Sequence, residues 1–406
     1  MNILGIVAEF NPFHNGHRYL IEKAKKEARA SFCIIVMSGN FVQRGEPALM
    51  DKYARTEIAL KNGADLVIEL PVAAATASAE GFAYGAVSLL NSLGIVSHIA
   101  FGSENTDLSL LDRIADILID EPVDFKNELR KLCSDGVSYP AARTLALKKS
   151  MPDTDIESIL NAPNCILSIE YLKALKRVKS RMTPIAIKRL GANYNDSMLH
   201  TDFSSASALR NAIKINTDYK SSVPENEIAI IENYRNTRDF IFEEDIFPIL
   251  LSKLLTKSAE ELSQYADCNI SLANKVKNNC FDFTDYPSIL DCLSSKDYTL
   301  SRIKRVLTHI LLDIDQTYIP SGAFSDHTAR YARVLGCGNK ELLSEIAKKS
   351  DIPVITRLSR QLDTLDGNLQ KFLMLDINAA HLYEAVTTIK TNSRPLNEFC
   401  RKLISI

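Results

Sequence analysis

Two histidines, His14 and His17, stand three residues apart just after the first apolar run of the chain. If a helix starts here, this spacing places both imidazoles on one side of its first turn. Backbone N–H groups and the positive end of the helix dipole favour an anion there, and imidazoles can donate hydrogen bonds to phosphate. Gly16 would let a nucleotide approach the backbone closely. The alternative is a strand–turn–helix with two incidental polar histidines, but a position after the first strand of a parallel sheet favours phosphate chemistry.

Further polar residues follow other predicted strands. Gln43 and Arg44 lie on a glycine-flanked loop, where the guanidinium could bind a carboxylate or a phosphate, or could equally be a solvated loop side chain. Gly102 follows the fourth strand and could let adenine or ribose lie against the backbone, although a simple turn is also compatible. Arg189 comes just past a strand end, from which it could reach nucleotide phosphates.

Two basic clusters could contact an RNA backbone. The stretch 171–190 holds seven basic residues and no acidic one, and a second cluster lies on a later helical pattern. A solvated helix face is the commoner meaning of such a run. The RNA-contact candidates are Lys173, Lys176, Arg177, Lys179 and Arg181 in the first cluster, and Arg302, Lys304 and Arg305 in the second.

The elements that must position these residues follow from alternating patterns. Short apolar runs at 3–8, 33–37, 66–70 and 98–101 predict buried strands, and helical patterns at 17–30, 53–62 and 73–93 lie between them. This βαβαβαβ order predicts a parallel sheet with right-handed crossovers, joined by one more strand at 184–188. A helix capped by Ser204 or Ser205 follows over 205–215.

Length and composition limit the possible classes of protein. A chain of 406 residues suits two or three domains, and the polar stretch before residue 225 predicts a boundary, with a mostly helical remainder. The net charge of −2 excludes a globally basic nucleic-acid binder but not a local basic surface. The eight cysteines form no CxxC pair or zinc-finger spacing, so we expect no protein-bound metal and a reducing, cytoplasmic location. No apolar run is long enough to span a membrane.

The segment Gly5–His17 resembles the HIGH-motif nucleotidyltransferase superfamily, and within it the bacterial tRNA(Met) cytidine acetate ligase family is most similar. The similarity extends, in order, over nearly the whole chain. It includes the segments Met37–Pro47, Phe101–Glu104, Asn164–Tyr171, Ile187–Arg189, Tyr194–Asp196, Ser301–Leu307 and Arg333–Gly336.

The resemblance implies an α/β fold. A Rossmann-like parallel-sheet nucleotidyltransferase domain would occupy residues 1–220, and an α-rich domain, a candidate for tRNA contacts, would occupy residues 221–406. It also implies an ATP site with catalytic His14 and His17. By residue, that site comprises Val7, Ala8, Glu9, Phe10, Asn11, Pro12, Phe13, His14, Asn15, Gly16, His17, Arg18, Tyr19, Leu20, Gly102, Asn164 and Arg189. The late phosphate motif of the superfamily is matched loosely at 205–210, where Ser207 and Arg210 are its counterparts.

The implied reaction acetylates N4 of the wobble cytidine of elongator tRNA(Met), with acetate and ATP as substrates, Mg²⁺ beside the pyrophosphate, and acetyl-adenylate as intermediate. It needs neither membrane nor DNA. The absence of a KMSKS-type lysine loop disfavours an aminoacyl-tRNA synthetase. Two alternatives stay open at this point: adenylylation of a small metabolite, which the long C-terminal part disfavours, and a non-catalytic nucleotide- or RNA-binding module, which the intact histidines disfavour.

Overall fold

The computed structural model describes residues 1–190, 204–319 and 330–406, so the segment Tyr194–Asp196 lies outside the described residues. The predicted apolar runs form buried strands, because residues covered on both faces of a sheet need no polar alternation. The strands are β1 (Asn2–Ala8), β2 (Ala30–Ser38), β3 (Phe41–Val42), β4 (Glu46–Pro47), β5 (Leu66–Leu70), β6 (His98–Ser103), β7 (Thr183–Lys188), β8 (Ala332–Cys337), β9 (Val354–Ile355) and β10 (Ile404–Ser405).

The central sheet has the strand order β10-β8-β5-β2-β1-β6-β7, with β9 beside β8. Its pairs are parallel except for β5 with β8. Ile6 of β1 is level with Ile35 of β2 on one side and with Ala100 of β6 on the other. The carboxyl ends of β1, β2, β6 and β7 therefore meet at one edge, where sheets of this kind bind ligands. The short strands β3 and β4 form a separate antiparallel hairpin.

Helices connect the strands and cover both faces of the sheet. In chain order they are α1 (Asn15–Glu27), α2 (Lys52–Lys61), α3 (Val72–Ala75), α4 (Ala79–Ser92), α5 (Leu108–Asp120), α6 (Val123–Ser134), α7 (Tyr139–Ser150), α8 (Ile156–Asn161), α9 (Pro163–Arg177), α10 (Ala206–Lys214), α11 (Glu225–Arg238), α12 (Glu243–Thr256), α13 (Ala259–Leu262), α14 (Ile270–Asn279), α15 (Tyr286–Leu293), α16 (Leu300–Leu312), α17 (Lys340–Lys349), α18 (Leu358–Gln361) and α19 (Gly367–Thr391).

Successive residues of a strand point to opposite faces, and each face has its own core. In β2, Ile34 and Val36 pack with α4, α5 and α9, whereas Cys33 and Ile35 pack with α1, α2 and α10. A third core joins α12, α14, α15, α16 and α19. Within the described ranges, no helix combines the length and the apolar character needed to cross a membrane.

The predicted fold class is confirmed, and one detail was wrong. The predicted helix at 73–93 is divided into α3 and α4, because the Ser78 side chain accepts the Gly81 N–H and starts a new helix. The predicted mostly helical remainder after residue 225 is confirmed, and it also contributes β8, β9 and β10 to the central sheet. The fully buried run Ala332–Cys337 is short enough to be mistaken for part of a helix. The boundary at residue 220 stays a prediction.

Candidate active site

A cavity of about 220 Å³ opens at the carboxyl edge of the sheet. It lies among the ends of β1, β6 and β7, the loop after β2, and the first residues of α1 and α10. It brings together many of the predicted site residues from distant parts of the sequence. Those that line it are Val7, Ala8, Glu9, His14, Gly16, His17, Tyr19, Leu20, Gln43, Arg44, Gly102, Asn164, Arg189, Ser207 and Arg210.

Other residues of the predicted ATP stretch support the cavity from behind. Phe10 and Phe13 are buried in the core, and their rings contact the His17 ring at centroid distances of 4.9 and 5.5 Å. Asn11 is also buried, and its Oδ1 accepts the Leu49 N–H at 2.7 Å. Pro12, Asn15 and Arg18 are not among the lining residues of the cavity. Their predicted ATP contacts remain predictions.

His14 and His17 form a stacked pair at the start of α1. Their ring centroids are 3.7 Å apart with an interplanar angle of 24°. His14 is the N-cap residue, and its Nδ1 accepts the Gly16 N–H at 3.0 Å. The His14 N–H in turn donates to Nδ1 of His17 at 3.3 Å. This reciprocal capping box fixes both rings through their Nδ1 atoms.

The same contacts determine where each ring carries its proton. Burial, and secondarily the charge of Arg189, lowers the pKa of His14 to about 3. Burial, followed by His14 and Arg189, also lowers the pKa of His17 well below its usual range. Both rings are therefore neutral at physiological pH, and because each Nδ1 accepts a hydrogen bond, each Nε2 carries the proton. The pair offers two N–H donors to an anion.

A second helix start faces the same cavity. The Ser205 side chain caps α10 by accepting the Ala208 N–H at 3.0 Å. Arg210 of this helix donates to the Asn11 carbonyl oxygen at 2.8 Å and pairs with Glu46 at 2.8 Å. The loose motif at 205–210 thus lies beside the histidine turn. Sequence reasoning missed Glu46, because its role depends on a hairpin that brings it to Arg210.

The loop after β2 is fixed to the end of β1. The Gln43 N–H donates to Oε1 of Glu9 at 2.9 Å. Arg55, fully buried, donates to the carbonyl oxygens of Glu9 at 2.6 Å and Ser38 at 3.1 Å, and also to that of Gly39. No pattern in the sequence marks Arg55, which lies in an ordinary helical pattern on α2. Burial lowers the pKa of Arg44 although Glu9 and Glu46 oppose this effect.

Gly102, Asn164 and Arg189 meet at the ends of β6 and β7. A Cβ on Gly102 would lie 3.4 Å from Cγ of Arg189, so the glycine leaves room for that side chain. Glu104 accepts the Asn164 Nδ2–H at 2.6 Å and the Cys165 N–H at 2.9 Å, which orients the start of α9. Sequence reasoning also missed the apolar wall of the cavity, which comprises Phe82, Phe101, Leu167 and Tyr171.

The first basic cluster lies mostly away from the cavity. Helix α9 runs from Asn164 at the cavity toward the opposite edge of the sheet, and β7 starts there at Thr183. Lys179 and Arg181, which lie between them, are exposed at that opposite edge. The other members pair with acidic side chains: Lys173 with Glu80 and Glu170, Lys176 with Asp112 and Asp116, and Arg177 with Glu80.

The second basic cluster makes contacts within the protein. Arg302 donates to the Asp267 carbonyl oxygen at 3.1 Å, and Arg305 pairs with the Asp267 carboxylate at 3.1 Å. Lys304 pairs with Glu243 at 2.9 Å. The predicted tRNA contacts of both clusters remain untested predictions. Metal-binding groups of three or more His, Cys, Asp or Glu side chains do not occur in the described parts of the chain.

Comparisons with known proteins agree with this geometry. A sequence model described as HIGH Nucleotidyl Transferase matches residues 1–398. The chain is 41% identical to the tRNA(Met) cytidine acetate ligase of Acetivibrio thermocellus, with 94% of each chain covered. It is 40% identical to the protein of that name from Clostridium acetobutylicum, with both chains covered completely. The chain belongs to the tRNA(Met) cytidine acetate ligase family.

Two solved structures of this ligase family share the whole fold. Thermotoga maritima TmcAL in its apo form superposes with a TM-score of 0.92 at 33% identity, and both chains are covered completely. The same protein bound with alpha-thio ATP gives a TM-score of 0.91 at 32% identity, again over both complete chains. The family membership, first indicated by the segment around His14 and His17, is thus confirmed over the full length.

Proposed function

We propose that this protein activates acetate with ATP and transfers the acetyl group to N4 of the wobble cytidine of elongator tRNA(Met). The observation that carries the proposal is the stacked pair of neutral histidines, with Nε2–H donors at a helix start inside the cavity. The proposal is also supported by the sequence, because the chain is about 40% identical to tRNA(Met) cytidine acetate ligases. We place the reaction in the cytoplasm, where tRNA is available as the acceptor.

In the first step, the ATP phosphates lie over the starts of α1 and α10. A carboxylate oxygen of acetate attacks the α-phosphorus, and pyrophosphate leaves. The Nε2–H groups of His14 and His17 donate to oxygens that gain charge, and the guanidinium of Arg189 adds a positive charge. Neutral donors suit this role because they need no change of protonation during the reaction. Acetate is already ionised at neutral pH, so positioning is the main requirement.

Acetate needs a cation on the side of the cavity away from the leaving group. We assign this role to Arg44, on the loop that Gln43 fixes to Glu9. Mg²⁺ would enter bound to ATP rather than in a preformed protein site, because Glu9 is the single carboxylate among the described lining residues. In the second step, N4 of the cytidine attacks the acetyl carbonyl of the bound acetyl-adenylate. An unpaired anticodon base can be turned out of its stack into such a cavity.

The test is pyrophosphate release from ATP in the presence and absence of acetate and tRNA, followed by mass spectrometry of the tRNA nucleosides. We expect acetate-dependent release and N4-acetylcytidine in elongator tRNA(Met), but none in a transcript with uridine at the wobble position. ATP binding without acetate-dependent turnover would contradict the proposal. Turnover with a small metabolite in place of tRNA would indicate the adenylyltransferase alternative.

A further inference from the structure

The second step releases a proton that some group must accept. When N4 of cytidine bonds to the acetyl carbon, the bond between that carbon and the adenylate oxygen breaks and AMP leaves. The exocyclic amine is a weak nucleophile because its lone pair is delocalised into the ring, and it loses one proton as the amide forms. A positioned general base accelerates such a step by about 10²–10⁴-fold. On the basis of the proposed function, we therefore expect a group of the cavity to act as that base.

The histidines cannot take this role. The Nδ1 atoms of His14 and His17 already accept the N–H groups of Gly16 and His14. Their Nε2 atoms carry protons, so neither ring has a free lone pair for another one. Lysine, arginine and tyrosine side chains also carry their protons at neutral pH, and serine hydroxyls are poor bases. Among the side chains of the cavity, the base must therefore be a carboxylate, and the alternatives are water and a phosphate oxygen of the adenylate.

Glu9 is the carboxylate that the cavity provides. Among the described residues that line the cavity, no other aspartate or glutamate occurs. Oε1 of Glu9 accepts the Gln43 N–H at 2.9 Å, and its carbonyl oxygen accepts from buried Arg55 at 2.6 Å. Both the side chain and the backbone of Glu9 are thus fixed, as a catalytic base requires.

Glu9 lines the same cavity as residues that we assign to both halves of the reaction. The charge of Arg44, our acetate-binding residue, interacts with Glu9. On the apolar side, burial and then the charge of Glu9 raise the pKa of the Tyr171 phenol. Tyr171 stacks with Phe101 at 5.4 Å, and both belong to the wall that a flipped pyrimidine would meet. We propose that Glu9 is the general base that accepts the N4 proton of cytidine during acetyl transfer and later releases it to water.

The Glu9→Gln variant tests this role, because glutamine keeps the oxygen that accepts the Gln43 N–H but is not a base. Single-turnover reactions with ATP, acetate and tRNA are quenched, and pyrophosphate, acetyl-adenylate and N4-acetylcytidine are measured in the same sample. We expect acetyl-adenylate to accumulate, because acetyl transfer should be slowed at least about 100-fold more than pyrophosphate release. Glu57→Gln, on the exposed face of α2, is the matched control and should behave as wild type.

Each other outcome overturns the inference. Equal loss of both steps, restored by raised Mg²⁺, would make Glu9 a metal ligand; equal loss without restoration would make it a structural residue. Normal acetyl transfer in Glu9→Gln would show that water or a phosphate oxygen of the adenylate, and not Glu9, accepts the proton. If wild type itself forms acetyl-adenylate but no N4-acetylcytidine, the proposed acceptor is wrong instead, and the two failures are thereby separated.

Discussion

Gly45 lies so close to Lys304 that a Cβ on the glycine would be 2.4 Å from the Lys304 carbonyl carbon. Gly45 is in the turn between β3 and β4 with a φ of +72°, which favours glycine. Nζ of Lys304 also lies 3.6 Å from the Glu46 carboxylate. Helix α16 therefore packs directly against the loop that carries Gln43 and Arg44. The α-rich C-terminal part of the chain therefore supports the loop through which Gln43 and Arg44 line the cavity.

We expect Gly45→Ala to damage both stability and activity. The left-handed backbone costs about 1–3 kcal/mol for a residue with a side chain, and the contact with Lys304 forces the loop to move. Movement of the loop should displace Arg44 and raise the KM for acetate by roughly tenfold, about 1.4 kcal/mol. Thermal unfolding and initial rates at varied acetate concentrations are the measurements.

Gly136→Ala is the control for Gly45→Ala. Gly136 also has a positive φ, +83°, but apart from its chain neighbours no atom of the described residues lies within 4 Å of the Cβ position. The control should lose a comparable amount of stability from backbone strain alone and keep the wild-type KM for acetate. A normal KM in Gly45→Ala would show that α16 does not position the loop.

Two variants of His14 can separate its role in catalysis from its role in folding. His14 is buried and caps α1, so His14→Ala should cost about 1 kcal/mol of stability. His14→Asn supplies another good capping side chain and removes the Nε2–H donor. We expect His14→Asn to retain most of the stability and still lose at least about 100-fold in pyrophosphate release. Wild-type rates in His14→Asn would exclude a role in stabilising the transition state.

The pH dependence of stability follows from the same histidine. Its pKa is about 3 in the folded protein against 6.5 for the unfolded chain, so below pH 6.5 the unfolded state binds more protons. The stabilisation is complete above pH 6.5 and declines as the pH falls toward 3. His14→Asn should therefore show a shallower loss of stability over this window in urea unfolding series. An unchanged slope would indicate that His14 titrates normally.

The sequence predicted what depends on local pattern and missed what depends on tertiary contacts. The four strands whose carboxyl ends surround the cavity, β1, β2, β6 and β7, and the turn at His14 were recognised because apolar runs and turn residues are local signals. The roles of Glu46, Arg55 and Tyr171 arise only when distant segments meet. The charge of Lys173 suggested an RNA contact, but burial beside Glu80 and Glu170 gives it internal partners, which composition alone cannot reveal.

Glu398 joins the C-terminal segment to the central sheet. Its carboxylate lies 2.6 Å from Nζ of Lys52 and 2.5 Å from Arg333, and all three side chains are buried. Glu398→Gln should cost about 3–5 kcal/mol, because it leaves buried cations with one carboxylate fewer. The measurement is equilibrium unfolding in urea. Glu345→Gln, in an exposed pair on α17, is the control and should change stability by less than about 1 kcal/mol.

Acidification should weaken the stabilisation that the Glu398, Lys52 and Arg333 cluster provides. Burial alone would raise the pKa of Glu398, but Lys52 and Arg333 overcome this effect and lower it to about 2, against 4.5 for an unperturbed glutamate. Its contribution is complete above pH 4.5 and declines as the pH falls toward 2. The stability difference between wild type and Glu398→Gln should therefore shrink over that window. A constant difference would mean that the variant acts through packing rather than charge.

The two basic clusters should differ in their effect on tRNA binding. Lys179 and Arg181 are exposed, and neither has an acidic partner among the residues that the structure describes. If they contact phosphates, a double alanine variant should reduce the slope of log K against log salt by about 1–2 and leave pyrophosphate release unchanged. Lys304→Ala should instead lower the melting temperature through the lost Glu243 pair and leave the salt slope unchanged. An unchanged slope in the Lys179 and Arg181 variant would mean that neither residue contacts a tRNA phosphate.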